Sequence, residues 1–191
     1  MADATGEGYP LVLQSGADPS TLGGVAVCGL TTVGSVGVIA ASHLIASLGL
    51  KPMGTVIHPE FPAVALIQES VPKHPVRVYQ GEEMGVFISE IQFPQASDFQ
   101  FGNTVLEWFQ KGGFDRLVII DGLVSEDLGL KEDGDIWGVA SLQSGRDALD
   151  TVGIQRIQQG IVTGVSGFLL AEGERQGLDI TVLLAECNPV Y

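Results

Sequence analysis

The chain has 191 residues, with 23 acidic against 9 basic side chains and a net charge of −14. A field of that sign repels phosphate backbones and anionic lipid, which sets nucleic-acid and membrane-surface roles aside. Apolar residues make up 45%, enough for a packed core, and a salt-adapted cytosol is one ordinary source of such acidity.

Residues 1–21 read as an acidic leader with a short first strand at Leu11–Leu13. The leader has neither the basic start nor the apolar stretch of a signal peptide. Two cysteines, Cys28 and Cys187, are too few for a disulfide framework, and each sits in an apolar run, so a cytoplasmic protein is expected. Leu22 to Leu50 carries no charged residue, long enough for a membrane span, but six glycines and several hydroxyl residues interrupt it and Lys51 is the one basic residue at its flanks. It reads instead as a buried strand at Gly24–Cys28, a Gly-rich turn and a helix to about Leu48. The helix would pack through Val36, Ala40, Leu44 and Leu48, and Gly49 and Pro52 would stop it.

The middle third predicts antiparallel hairpins from Met53–His58, Ala63–Gln68, Val76–Gln80 and Gly85–Ile91, separated by prolines and a Gly-Glu-Glu turn. A helix follows over Ser97–Lys111, with Phe101, Val105, Leu106 and Phe109 on one face and Gly112-Gly113 ending it. Leu117–Asp121 reads as a central parallel strand, Gly122–Asp135 as an acidic loop, Ile136–Ser141 as a strand and Ser144–Val152 as a helix capped by Ser144. Val165–Gln176 is a helix with Gly177 as its left-handed cap, and Asp179–Ala185 is the last strand. These elements predict an α/β fold, a three-layer α/β/α sandwich on a mixed, largely parallel sheet, with residues 22–187 as its single domain and 188–191 as a shortened tail.

Chemistry is sparse. Gly29-x4-Gly34-x2-Gly37 lies between strand and helix, where backbone N–H groups hold anions, but it matches neither the dinucleotide fingerprint nor the P-loop. Gly160-Ile-Val-Thr-Gly164-Val-Ser-Gly167 is similar and is not a nucleophile elbow. His43, His58 and His74 stand at no metal-ligand spacing, so no metal, cofactor or catalytic set is expected. Three acids, Glu90, Asp121 and Glu186, fall at predicted strand ends, where open α/β sheets bind ligands. With Gly29, Thr31 and Thr32 they make a candidate crevice for a cation or a proton-transfer pair; simple solvation of strand-end acids is the competing explanation.

Several segments in order resemble the proteasome assembly chaperone family, specifically the second assembly chaperone and its archaeal homologues. They are Gly29–Gly37, Pro59-Glu-Phe-Pro62, Pro75-Val-Arg77-Val-Tyr79, Ile91-Gln-Phe93-Pro94, Gly160–Leu170 and Leu183-Leu-Ala-Glu186. In the second, Glu60 stands near the family's usual acid and Ala63 replaces its second proline. The resemblance implies a phosphorylase/hydrolase-like α/β/α fold, a homo-oligomer, and a non-enzymatic role in assembling proteasome α-subunits. Phe93 and Trp137 are then candidate partner contacts. Some relatives insert a hydrophobic–tyrosine–any residue tail between α-subunits; here Val190 and Tyr191 match two of its three positions. The alternative function is a small-molecule or nucleotide-binding enzyme, ATP-grasp-like or hydrolase/phosphorylase-like, working in the crevice; four lysines and no phosphate loop give ATP little to hold it.

Overall fold

A computed structural model describes residues 7–15, 17, 23–125 and 134–188. In chain order the elements are β1 (Leu11–Leu13), β2 (Val25–Leu30), α1 (Val36–Ser47), β3 (Lys51–Val56), β4 (Leu66–Gln68), β5 (Val71–Lys73), β6 (Val76–Gln80), β7 (Met84–Ser89), α2 (Asp98–Lys111), β8 (Arg116–Val124), β9 (Ile136–Ala140), α3 (Gln143–Thr151), β10 (Gln155–Arg156), α4 (Gly164–Gln176) and β11 (Ile180–Cys187). Nine strands form one sheet in the order β1-β3-β6-β7-β2-β8-β11-β9-β10. Its centre, β7-β2-β8-β11, is parallel, and β6, β3 and β1 continue it antiparallel on one side. On the other side β9 runs antiparallel to β11, and β10 runs parallel to β9.

Central strands are covered on both faces, which is why they are runs of uncharged apolar residues rather than alternating ones. One face is closed by α2 and α4. Phe101, Val105, Leu106 and Phe109, the stripe expected from the 3.6-residue period, are all buried there with Trp108. Phe87 of β7 meets Phe101 at 5.6 Å and Trp108 at 5.5 Å between ring centroids. The other face carries α1 over β7, β2 and β8, packed on Val27, Val86 and Ile88. α3 lies on that same face at the far edge. Leu149 sits on Gly138, which pairs with Leu183, which pairs with Ile120 beneath α1.

Several elements differ from expectation for physical reasons. α1 does not settle on Val36, Ala40 and Leu48; its buried residues are Gly37 and Ala41, and of the four expected positions Leu44 packs against the core beneath, with Val38 and Ile45. A Cβ on Gly37 would lie 2.4 Å from the Ile120 carbonyl oxygen, so the helix backbone rests directly on the sheet. Ala63–Gln68 contributes only β4, and that strand pairs outside the main sheet with β5 in a separate hairpin. Glu69 and Ser70 turn this hairpin with φ of 51° and 63°, a left-handed pair that tight hairpins need but that no Asn or Gly announces. β8 runs on to Val124, into what reads as loop; residues 126–133 of that acidic loop lie outside the described set. Ser144 does not cap α3, because its hydroxyl donates to Asp179 Oδ2 at 2.8 Å and Leu142 holds the cap position. Gly177 ends α4 in the left-handed conformation, φ 70°, as the sequence requires. Among the described residues, no helix is long and apolar enough to cross a membrane.

Candidate functional site

At the carboxyl ends of β2, β7 and β8, a crevice of about 660 Å³ opens beside the starts of α2 and α4. Both Gly-rich turns border it: Thr31, Thr32 and Val33 on one wall, Ile161 to Ser166 on another. The backbone N–H and hydroxyl of Thr31 both donate to the Ser89 carbonyl, at 3.0 and 2.9 Å, tying the end of β2 to β7. The Thr32 hydroxyl is buried and has no hydrogen-bond partner among the described residues.

Asp121 is held on both carboxylate oxygens. Its Oδ2 accepts from the Ser166 hydroxyl at 2.6 Å and its Oδ1 from the Gly122 N–H at 2.7 Å. Ser166 lies in the first turn of α4, so the carboxylate faces the positive end of that helix. Asp98, the first residue of α2, also lines the crevice, and burial raises its carboxyl above the ordinary range. No Lys, Arg or His is among the lining residues, so the donors open to a ligand here are hydroxyls, the Gln92 side-chain amide and backbone amides. Cys28 and Cys187 lie nearby as neutral thiols: burial first, then the charge of Asp121, raises both, partly offset at Cys187 by a hydrogen bond from the Leu123 backbone. A raised thiol is a poor nucleophile. A larger hollow, about 1170 Å³, opens at the other ends of the strands, around Leu48–Met53 and Gln80–Met84, with Lys51, Glu82 and Glu83 as its charged lining. Among the described residues, no group of three or more His, Cys, Asp or Glu is placed to hold a metal ion.

Of the six candidate crevice residues, the structure brings together Thr31, Thr32 and Asp121. Gly29 lies behind them under α1, where an added Cβ would meet the Gly37 carbonyl oxygen at 2.2 Å. Glu90 is elsewhere: it takes a charge-assisted hydrogen bond from buried Arg77 and another from Gln68 Nε2 at 3.3 Å. Arg77 also donates to the Tyr79 hydroxyl at 3.0 Å and the His74 carbonyl at 2.6 Å. This cluster pins the β4–β5 hairpin to the sheet. Glu186 accepts from the Asp135 N–H at 3.1 Å, away from the crevice lining. Asp98 and Ser166 were the residues sequence reasoning missed; a serine in the second Gly-rich turn was visible, its meeting with Asp121 was not.

Among the candidate partner contacts, Phe93 is half-buried, 4.1 Å from Phe101 and 5.0 Å from Phe61 between centroids, and it borders the crevice. Trp137 is half-buried against the core of the α2/α4 face. Val190 and Tyr191 lie outside the described residues. Phe99 is 63% exposed, with its ring edge-on to Phe168 at 5.2 Å.

The model of the PAC2 family matches residues 26–191. The crystal structure of Pyrococcus furiosus PbaA, described as an archaeal homolog of proteasome-assembly chaperone, superposes with a TM-score of 0.84 and 26% identity, covering 95% of this chain and 74% of that one. A Thermoplasma acidophilum protein of unknown function gives 0.79 at 24% identity over 90% of this chain and 70% of its own. Pyrococcus furiosus PbaB, described as an archaeal proteasome activator, gives 0.78 at 18% identity over 97% and 82%, a likeness of fold. No curated protein matches the sequence.

Proposed function

The chain belongs to the PAC2 family, and on that footing we propose that it is a proteasome-assembly-chaperone-like protein of the cytoplasm. It works through its surfaces and through self-association, without catalysis, and its partners are proteasome α-subunits. Residues 22–187 act as the working unit. The observation that carries this reading is the likeness to PbaA over 95% of the chain at 26% identity. The crevice is consistent with it, since its one ordered carboxylate–hydroxyl pair, Asp121 and Ser166, lines up with no histidine or lysine that would activate it. The test is to mix the purified chain with α-subunits of its own source and follow ring formation by native electrophoresis and light scattering. Faster or more complete rings, with the chain co-migrating with an assembly intermediate, are expected. Unchanged assembly with no co-migration would overturn the reading.

A second reading has its own observation. Two Gly-rich turns, Asp98, Asp121 and Ser166 converge on one crevice at strand carboxyl ends, the usual ligand position in open α/β sheets. A polar, uncharged or cationic small molecule fits that lining better than a phosphate. A ligand at about 100 times its Kd stabilises by about 2.7 kcal/mol, so a thermal-shift screen reads it directly. No shift with polyols, amines, nucleosides or divalent ions would remove it.

A further inference from the structure

The crevice at the carboxyl ends of β2, β7 and β8 has its hydrogen-bonding character set from within. Thr31 and Ser166 line it, but both hydroxyl protons are committed inward, one to the Ser89 carbonyl at 2.9 Å and the other to Asp121 Oδ2 at 2.6 Å. What these two oxygens offer a ligand is lone pairs only. Asp98 and Asp121 add carboxylate oxygens to the same lining, and no Lys, Arg or His there answers them. Among the described residues none donates a hydrogen bond to Asp98, whose carboxyl is raised above the ordinary range by burial. Thr32 lines the same wall, and its hydroxyl oxygen, without exposed surface, has no partner among the described residues. Buried polar atoms in native proteins are ordinarily matched.

The start of α4 would by itself invite an anion, but the chain's own acids already stand there. Ser166, in its first turn, holds Asp121, and Asp98 Oδ2 lies 3.9 Å from where a Cβ on Gly164 would be. A phosphate or carboxylate entering the crevice therefore meets two carboxylates of its own sign, in a chain of net charge −14. The rest of the lining is apolar: Leu30, Ile91, Phe93 and Val162, with Ile161, 90% exposed, carrying it out to the surface. A calcium or magnesium ion gathers six or more oxygens and gains nothing from such walls. An organic cation uses both parts.

We propose that the crevice takes a primary ammonium carried on an apolar stem, the ammonium held by Asp98, Asp121 and the neighbouring hydroxyls and the stem lying along Ile91, Phe93 and Ile161. An ammonium is donor-only, and its three N–H groups need single lone pairs from separate acceptors, which this lining supplies. A guanidinium fork asks for both oxygens of one carboxylate, and those of Asp121 already accept from Ser166 and Gly122. The volume, about 660 Å³, is that of an ordinary ligand pocket. A free alkylamine and the lysine side chain of a protein partner share this chemistry. The inference rests on the second reading above, that the crevice binds a ligand, and narrows it to one class.

The test is a two-dimensional NMR titration of the full chain with hexylammonium, hexanol and hexanoate, at about 0.15 M KCl to screen unspecific attraction to an acidic protein. Hexylammonium is expected to move the amide signals of Thr32, Gly122 and Ser166 and to bind about 10-fold or more tighter than hexanol, with hexanoate not binding. Asp98→Asn, which disturbs no hydrogen bond among the described residues, and Asp121→Asn are each expected to weaken hexylammonium by about 10-fold. Glu82→Gln, in the larger hollow at the other ends of the strands, leaves it unchanged. Nα-acetyl-lysine amide binding tighter than hexylammonium assigns the site to a partner's lysine, and weaker binding assigns it to a free amine. Hexanol or hexanoate binding there as tightly as hexylammonium, or hexylammonium indifferent to Asp98→Asn and lost in Glu82→Gln, would sink the ammonium site and leave a ligand crevice standing. Silence from these three and from polyols, nucleosides and divalent ions alike would remove the second reading with it.

Discussion

The α2/α4 side and the α1/α3 side of the sheet solve the same problem with opposite materials. The first uses bulk: Phe87, Phe101, Trp108 and Phe114 interlock, and helix packs on helix. The second uses closeness: glycine and alanine let α1 lie almost on the strands. Bulk closes a core from within one chain. Closeness leaves a thin layer whose outer surface mixes exposed Ile39 and Leu48 with His43 and Ser47.

The widest contrast is in deletions of similar size. Phe101→Ala is expected to cost about 3–5 kcal/mol in urea unfolding, since its ring has no exposed surface, while Ile39→Ala on α1 stays within about 0.5 kcal/mol for the monomer. Equal costs would mean that the α1 face is closed after all. Next in size is the ion pair that holds the hairpin. Glu90→Ala strands the Arg77 guanidinium, whose side chain is 8% exposed, and is expected to cost about 3 kcal/mol, with loss of protection at β4 and β5 in hydrogen exchange. Replacing both partners with apolar residues should recover much of that.

Gly37→Val sharpens the comparison from the other side. Its added Cβ meets backbone at Ile120 and Leu30 rather than a movable side chain, so about 1–3 kcal/mol is expected, with α1 lifted off the sheet. The same substitution at Gly153, with nothing within 4 Å but a φ of 76°, tests strain alone. The smallest effect belongs to the rim of α4. Hydrogen bonds from Arg175, then Gln176, hold the Glu172 carboxyl below its ordinary range. A lowered folded-state pKa means stabilisation that is complete above the ordinary Glu range and fades as pH falls through the lowered value. Glu172→Gln should therefore flatten the acid limb of a stability–pH curve below about pH 4.5 and do little at pH 7. Arg175 is half in solvent, which keeps the effect small.

How much of this was legible follows the same division. The stripe Phe101–Val105–Leu106–Phe109 announces α2 because bulky residues on one side of a helix repeat visibly. The seat of α1 is made by Gly37 and Ala41, residues whose contribution is the side chain they lack, so hydropathy spacing pointed to Val36, Ala40, Leu44 and Leu48, of which Leu44 packs on that core. Strand-end acids were readable as such. Which side each one takes was not: Asp121 turns to Ser166, while Glu90 turns to Arg77 across the sheet edge. The β4–β5 hairpin escaped because its turn is Glu69-Ser70 rather than a glycine pair. The family resemblance, carried by short motifs in order, supplied what periodicity did not, and the PAC2 match agrees with it.

One feature of the strand order reaches into how the molecule is made. β11 fills the place between β8 and β9, and β9 touches the rest of the sheet only through it. During synthesis β8 therefore emerges with one long edge bare until Ile180 and its neighbours leave the ribosome, and β9, α3 and β10 have nothing to dock on in the meantime. Contacts so distant along the chain form slowly, and a bare apolar edge is where a nascent chain sticks to its neighbours.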